Sequence, residues 1–222
     1  MSDALHPEVA DQIAGLDIDT DRPLVVSDAD DVIFNFVLPF TEFLPQVGLE
    51  FTWTSYRFTG NILREDGTAA ESDEAWAAFH AFYDRYGDAL EPIPGAVEAL
   101  LALSARATVI VLTNLPGRHR EYRATNLARL GLNFPLVINI GRKGPAMRAL
   151  AEGVGAPVFF LDDSPRHIES VAQTAPDVVR LHFVGDERLA TIVEPAPHSH
   201  HHTNDWRSAR AIIESRLADD GF

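Results

Sequence analysis

The sequence predicts an α/β fold on a parallel sheet, and three observations predict it. Short β-branched apolar runs end in polar residues, amphipathic stretches with recognisable ends alternate with them, and one interval between runs is too long for a single strand–helix–strand step. The runs are Leu24 to Val26, Thr108 to Leu112, Leu136 to Ile140, Val158 to Leu161 and Val178 to Phe183. Near-continuous apolar strands of this kind are covered on both faces, so five strands in one buried sheet are expected.

The helices between them are bounded by local chemistry. Pro94 and Gly95 introduce a helix over 96–105; a second, 120–130, stops at Gly131; a third, 146–152, stops at Gly153. Ser164 and Pro165 supply an N-cap and a first-turn proline for a helix to Gln173. A last helix, 205–218, is expected to be capped by Asn204 and to place Trp206, Ile213 and Leu217 on one side.

The long interval lies between Asp28 and Thr113, 85 positions apart, where a βαβ unit takes about 30 residues. Residues 36–91 are therefore read as an insertion, a small and mainly helical second domain rich in aromatics: Phe36, Phe40, Phe43, Phe51, Trp53, Tyr56, Phe58, Trp76, Phe79, Phe82, Tyr83 and Tyr86. A helix over 73–86, with Ser72 as N-cap and Gly87 after its end, puts Trp76, Phe79, Tyr83 and Tyr86 at helical spacing, which reads as a core-facing stripe.

Composition excludes several functions. With 33 acidic and 18 basic residues the chain carries a formal charge of −15, a field that repels nucleic acid and anionic lipid. The absence of cysteine excludes disulfides and thiolate-held zinc. The first twenty residues have no basic and apolar sequence of an export signal, and the apolar stretch 93–115 is interrupted by Glu98 and Arg106. A cytoplasmic protein without membrane or nucleic-acid partners is expected.

In an open α/β sheet, ligands bind beyond the carboxyl ends of the strands. The polar residues at those ends are Asp28 and Asp30 after the first run, Thr113 and Asn114 after the second, Lys143 after the third, and Asp162, Asp163 and Ser164 after the fourth. Carboxylates held together repel by about 4 kcal/mol per pair at about 4 Å and an effective dielectric near 20. They need a cation, and an all-oxygen donor set suits Mg²⁺.

These residues resemble those of the haloacid dehalogenase superfamily, phosphatase type. The four matching stretches are VVSDADDVI with Asp28 and Asp30, VIVLTN with Thr113, GRKGPAM with Lys143, and FFLDDSP with Asp162 and Asp163. The phrase from Glu91 to Ala96 looks like the return from a cap inserted after the first motif, and the resemblance spans 24–183. It implies a Rossmann-like core over 22–35 and 92–222, a helical cap over 36–91 and an N-terminal extension over 1–21.

The resemblance also implies roles. Asp28 is the nucleophile that takes the phosphoryl group, which splits one hard displacement into two easier ones. Asp30 protonates the leaving oxygen and then deprotonates water. Mg²⁺ is held by Asp28, the Asp30 carbonyl and Asp163, with Asp162 binding directly or through water. Thr113, Asn114 and Lys143 hold the phosphoryl oxygens of a small phosphorylated metabolite. Other readings of the pattern are a haloacid-type dehalogenase, a phosphomutase, and a non-catalytic phosphate-binding or signalling relative.

Asp31 departs from the family pattern, in which glycine is common at that place, and reads as a solvated turn carboxylate. The tract His198 to His202 reads as a solvated loop, and Arg57, Arg64, Arg118 and Arg142 as surface residues.

Overall fold

The computed structural model describes residues 4–53 and 60–222; Tyr56, Arg57 and Phe58 lie outside the described residues. In chain order the elements are α1 (Pro7–Ala14), β1 (Leu24–Ser27), α2 (Val37–Phe43) with a 3₁₀ turn at Leu44–Val47, β2 (Leu49–Phe51), β3 (Ile62–Arg64), α3 (Ser72–Tyr86), α4 (Ala96–Ser104) and β4 (Thr108–Thr113). A 3₁₀ turn at Gly117–His119 then leads into α5 (Arg120–Arg129), followed by β5 (Leu136–Ile138), α6 (Gly144–Ala151), β6 (Val158–Asp162), α7 (Pro165–Thr174), β7 (Val179–Phe183), α8 (Glu187–Ile192), β8 (His201–Thr203) and α9 (Trp206–Asp219).

Six strands form one sheet in the order β5-β4-β1-β6-β7-β8, every pair parallel. Alternation along the strands divides the core in two. Val25, Val109, Val111, Phe159 and Leu161 face α4 and α9, whereas Leu24, Val26, Ile110, Leu112 and Phe160 face α1, α6 and α7. The chain leaves β1 toward β4 on one side and returns to β6 on the other, so the crevice where strand order reverses opens beside the end of β1.

The sixth strand comes from the histidine tract, which is an edge strand and not the solvated loop expected from its composition. His201 to Thr203 pair with Leu181 to Phe183. Arg180 locks the approach, its Nε donating to the His198 carbonyl at 2.9 Å and its backbone N–H to His200 Nδ1 at 3.0 Å. An edge strand tolerates polar residues on its open side, so no apolar pattern announces it.

Two caps also differ from expectation. Helix α9 is capped by Asp205, whose carboxylate accepts from Ser208 N–H, and not by Asn204. Helix α3 begins one residue earlier than expected, with Glu71 as N-cap in a reciprocal capping box with Glu74. The side of α3 facing inward carries Ala78, Phe82 and Tyr83, while Trp76 is 51% exposed, so the expected stripe is rotated toward Phe82.

Between β1 and α4 lie α2, α3 and the antiparallel pair β2–β3. Their interior is aromatic: Phe36 stacks on Phe40 at 5.3 Å, Phe40 meets Phe82 edge-on at 5.5 Å, and Phe36 stacks on Tyr83 at 5.7 Å. This cluster is continuous with the core on the α4–α9 side of the sheet.

Candidate active site at the carboxyl ends of the strands

Asp28 follows the last residue of β1, and its N–H still donates to Leu161 O at 2.9 Å, so the sheet itself fixes its backbone. Its Oδ1 accepts from Ala29 N–H at 2.7 Å and lies 2.8 Å from Lys143 Nζ. Lys143 is fully buried and lies 2.6 Å from Asp162 Oδ2 as well. One ammonium thus bridges two carboxylates delivered by neighbouring strands.

The lysine is placed by a close approach of two helices. Gly144, the first residue of α6, sits where an added Cβ would lie 2.3 Å from Ser170 O on α7, so only glycine fits, and its N–H donates to Ser170 Oγ at 3.1 Å. Lys143 N–H donates to His167 Nδ1 at 3.3 Å from the same helix.

The end of β6 completes the cluster. Asp162 Oδ1 accepts from Ser164 N–H at 2.8 Å, and Asp163 is oriented through its backbone carbonyl, which accepts from His182 Nε2 at 2.9 Å. One carboxylate oxygen each from Asp28, Asp162 and Asp163 lie within 4.8 Å of one another, all buried. Lys143 pairs with the first two, one positive charge against two negative ones, and no ion pair among the described residues reaches Asp163. Burial, then the charges of Asp28 and Asp31, push its carboxyl well above the usual carboxylate range. Burial also raises Asp28 and Asp162 against the pull of Lys143, whose own pKa is raised because Asp162 and Asp28 outweigh its desolvation.

Thr113 ends β4, the strand on the other side of β1, and its hydroxyl is buried without a hydrogen-bond partner. A buried unpaired hydroxyl at the carboxyl end of a strand next to β1 calls for a hydrogen-bond acceptor. Asn114 is exposed and its amide joins the loop after β5, donating to Gly141 O at 2.7 Å and accepting from Asn139 Nδ2 at 2.9 Å.

The Asp30 side chain is not one of the three converging carboxylates and has partners of its own. Tyr83 on α3 donates to its carboxylate, 2.9 Å from each oxygen, and Arg123 on α5 donates to Oδ1. Burial raises the Asp30 pKa and Arg123 opposes the rise. Asp31 is buried, not solvated as expected. It takes the left-handed backbone at φ 56° that the missing glycine would have taken, and its Oδ1 accepts from the N–H groups of Phe36 and Val37, both at 3.0 Å, at the start of α2. Burial lifts its pKa to about 7.

Three participants were absent from the sequence reading as site residues: Arg123, Tyr83 in its polar role, and His182. Arg123 had a signal, since it shares a helix face with Leu127 and Leu130 at spacings of four and seven, where a charged residue is out of place unless paired. For His182 the strand pattern offered none.

No family model matches the chain, and no curated protein does. Solved structures do resemble it. A haloacid dehalogenase family hydrolase from Deinococcus radiodurans, with bound phosphate and sodium, superposes with a TM-score of 0.60 at 16% identity over 89% of this chain and 97% of that one. A haloacid dehalogenase-like hydrolase from Streptococcus pneumoniae gives 0.61 at 12% identity over 87% and 99%. L-2-haloacid dehalogenase from Xanthobacter autotrophicus gives 0.56 at 14% identity over 86% and 98%. The chain has the haloacid dehalogenase-like fold.

Proposed function

We propose that the protein is a Mg²⁺-dependent phosphatase that hydrolyses a small phosphorylated metabolite through an aspartyl-phosphate on Asp28. The observation that carries this reading is the Asp28 carboxylate held 2.8 Å from a buried lysine, inside a cluster of three carboxylates of which that lysine reaches only two. The donor set fits Mg²⁺: all oxygens, buried, with Asp163 lacking a counter-charge. Asp28, Asp163 and the Asp30 carbonyl would hold the ion, with Asp162 direct or through water, and it would supply charge neutralisation.

A carboxylate approaching a phosphate dianion meets roughly 8 kcal/mol of repulsion at contact distance in a medium of dielectric near 20, so its own environment must offset that. Lys143 does so at Asp28, and the free hydroxyl of Thr113 donates to a phosphoryl oxygen. Asp28 then forms a bond to phosphorus as the bond to the leaving oxygen breaks, and Asp30 gives that oxygen a proton. In the second half Asp30 takes a proton from water, the water oxygen bonds to phosphorus, and the Asp28–phosphorus bond breaks to release phosphate. Asn114, through Gly141 and Asn139, steadies the loop that leads into Lys143.

We further propose that residues 36–91 act as a cap on a core of 22–35 and 92–222, with 1–21 an extension, and that the protein works in the cytoplasm. No helix among the described residues is long and apolar enough to cross a membrane.

A panel of phosphorylated metabolites assayed with and without Mg²⁺ tests the reading. Multiple-turnover phosphate release that chelator abolishes is expected. Mg²⁺ is also expected to raise the thermal midpoint of the wild type and not that of Asp163→Ala. Chelator-insensitive turnover of chloroacetate, with no phosphate release, would replace the phosphatase with a dehalogenase.

A further inference from the structure

Arg123 is a fully buried cation, and Asp30 is its ion-pair partner. Its guanidinium lies 4.7 Å from the Phe34 ring centroid, and Nη2 donates both to Asp30 Oδ1 and, at 2.9 Å, to the Tyr83 hydroxyl. Its Nε and Nη1 have no hydrogen-bond partner. Tyr83 is equally buried, and its one proton is shared between the two Asp30 oxygens at 2.9 Å each. Of the ion pair, only the carboxylate keeps any opening to solvent, 19% of its side chain against none for Arg123.

A buried arginine with two unsatisfied donors is a poor fastener, because an apolar side chain of similar volume would join α5 to α3 without the desolvation of a charge. What the charge does achieve is to fix one carboxylate from two helices while leaving that carboxylate accessible. We infer that Arg123 and Tyr83 are positioning residues for the acid–base work of Asp30, holding its carboxylate so that Oδ2 faces the leaving oxygen. This inference rests on the phosphatase reading above and adds to it two residues that act through Asp30.

The assignment of the proton follows from the bonding. Arg123 occupies Oδ1, so Oδ2, which has only its share of the Tyr83 proton, is the oxygen free to carry a hydrogen. As the phosphorus–oxygen bond to the alcohol breaks, its electron pair stays on the leaving oxygen, which takes the hydrogen from Oδ2. The carboxylate left behind faces Arg123. Neither Arg123 nor Tyr83 touches a reacting atom; both act through Asp30.

The test compares kcat/KM on a primary alkyl phosphate, glycerol phosphate, with kcat/KM on p-nitrophenyl phosphate, whose phenolate departs without a proton. Tyr83→Phe keeps the ring in the core and removes only the hydroxyl; Arg123→Met removes the charge, and Arg123→Lys restores it. For Tyr83→Phe and Arg123→Met the loss on the alkyl ester should exceed the loss on the nitrophenyl ester by about tenfold or more, with Arg123→Lys recovering part of the difference. Affinity for inorganic phosphate, measured by calorimetry, should be retained. Equal losses on both esters in Tyr83→Phe, or phosphate affinity lost along with them, would reduce the pair to a structural fastener and overturn the inference while leaving the phosphatase reading intact. A wild type that turns over neither ester with Mg²⁺ present would overturn both.

Discussion

Asp28 and Asp30 are two residues apart in sequence and sit in two different kinds of place. Around Asp28 the polar partners come from the end of β6 and from the loop after β5: Lys143 at 2.8 Å, with Asp162 and Asp163 arriving from the adjacent β6. Around Asp30 the partners come from two helices, Tyr83 in the last turn of α3 and Arg123 in the first turn of α5, amid aromatic rings. The first region is held by backbone hydrogen bonds that are largely indifferent to the insertion. The second exists only while α3 stays packed on α5, so under the proposed function the chemistry common to all substrates would belong to the strand ends and discrimination to the helix junction.

The strongest way to break that division is at the strand ends. Asp28→Asn is expected to abolish phosphate release on every substrate while far-UV circular dichroism stays unchanged; selective loss on some substrates would place specificity at the sheet instead. Lys143→Ala is expected to be inactive on all substrates and also to lose about 3 kcal/mol of stability in urea, because two buried carboxylates lose their shared cation.

A smaller effect is expected at the junction, and it depends on pH. His119 is buried between the rings of Tyr83 and Tyr122, at 5.2 and 5.7 Å, and its Nε2 faces both His80 Nδ1 at 2.8 Å and Arg118 Nε at 3.1 Å. Asp84 lies 3.6 Å from its other nitrogen. Burial, and then Arg118, depress its pKa below the ordinary 6.5, with Asp84 opposing. The folded state therefore binds fewer protons than the unfolded state below pH 6.5, so the contribution is complete above that pH and is lost as pH falls through it. A proton on Nε2 would also turn the acceptor for Arg118 into a donor. Urea midpoints are expected to fall between about pH 7 and about pH 5, and to fall less in His119→Phe. An identical fall in both proteins would show that the junction does not titrate through this residue.

The same comparison explains what the sequence made legible. Asp28, Thr113, Lys143, Asp162 and Asp163 could be named because each ends or directly follows a strand or closes the loop after one, and a parallel sheet brings such positions to one edge. Arg123 and Tyr83 could not, since their meeting on Asp30 depends on how two helices pack, and spacing along one helix says only that a residue faces inward. Asp31 was misread for a related reason: its burial comes from α2 folding back over the turn, a tertiary event. The histidine tract was misread because an edge strand of polar residues has no apolar signature. Five strands of the sheet were expected from their apolar runs, and the sixth, β8, lies outside them at the edge.

The smallest test concerns how firmly α3 is started, since that helix carries Tyr83 into the junction. Glu71 and Glu74 cap it reciprocally, and Glu74 is further held by Arg64, whereas Ser72 is merely its first residue. Glu71→Ala is expected to lower stability by about 0.5–1 kcal/mol, as loss of an N-cap does. Ser72→Ala should change it by less than about 0.5 kcal/mol, the range of ordinary surface substitutions. Both sites are exposed and far along the helix from Tyr83, so neither change should alter the preference between alkyl and nitrophenyl esters unless fraying reaches the junction. Urea titration beside the two-ester assay separates these outcomes. A shift in ester preference from Glu71→Ala alone would mean that α3 transmits its helical state to Asp30 as a unit, and that the junction is tuned by the whole helix and not by the two side chains that touch the carboxylate.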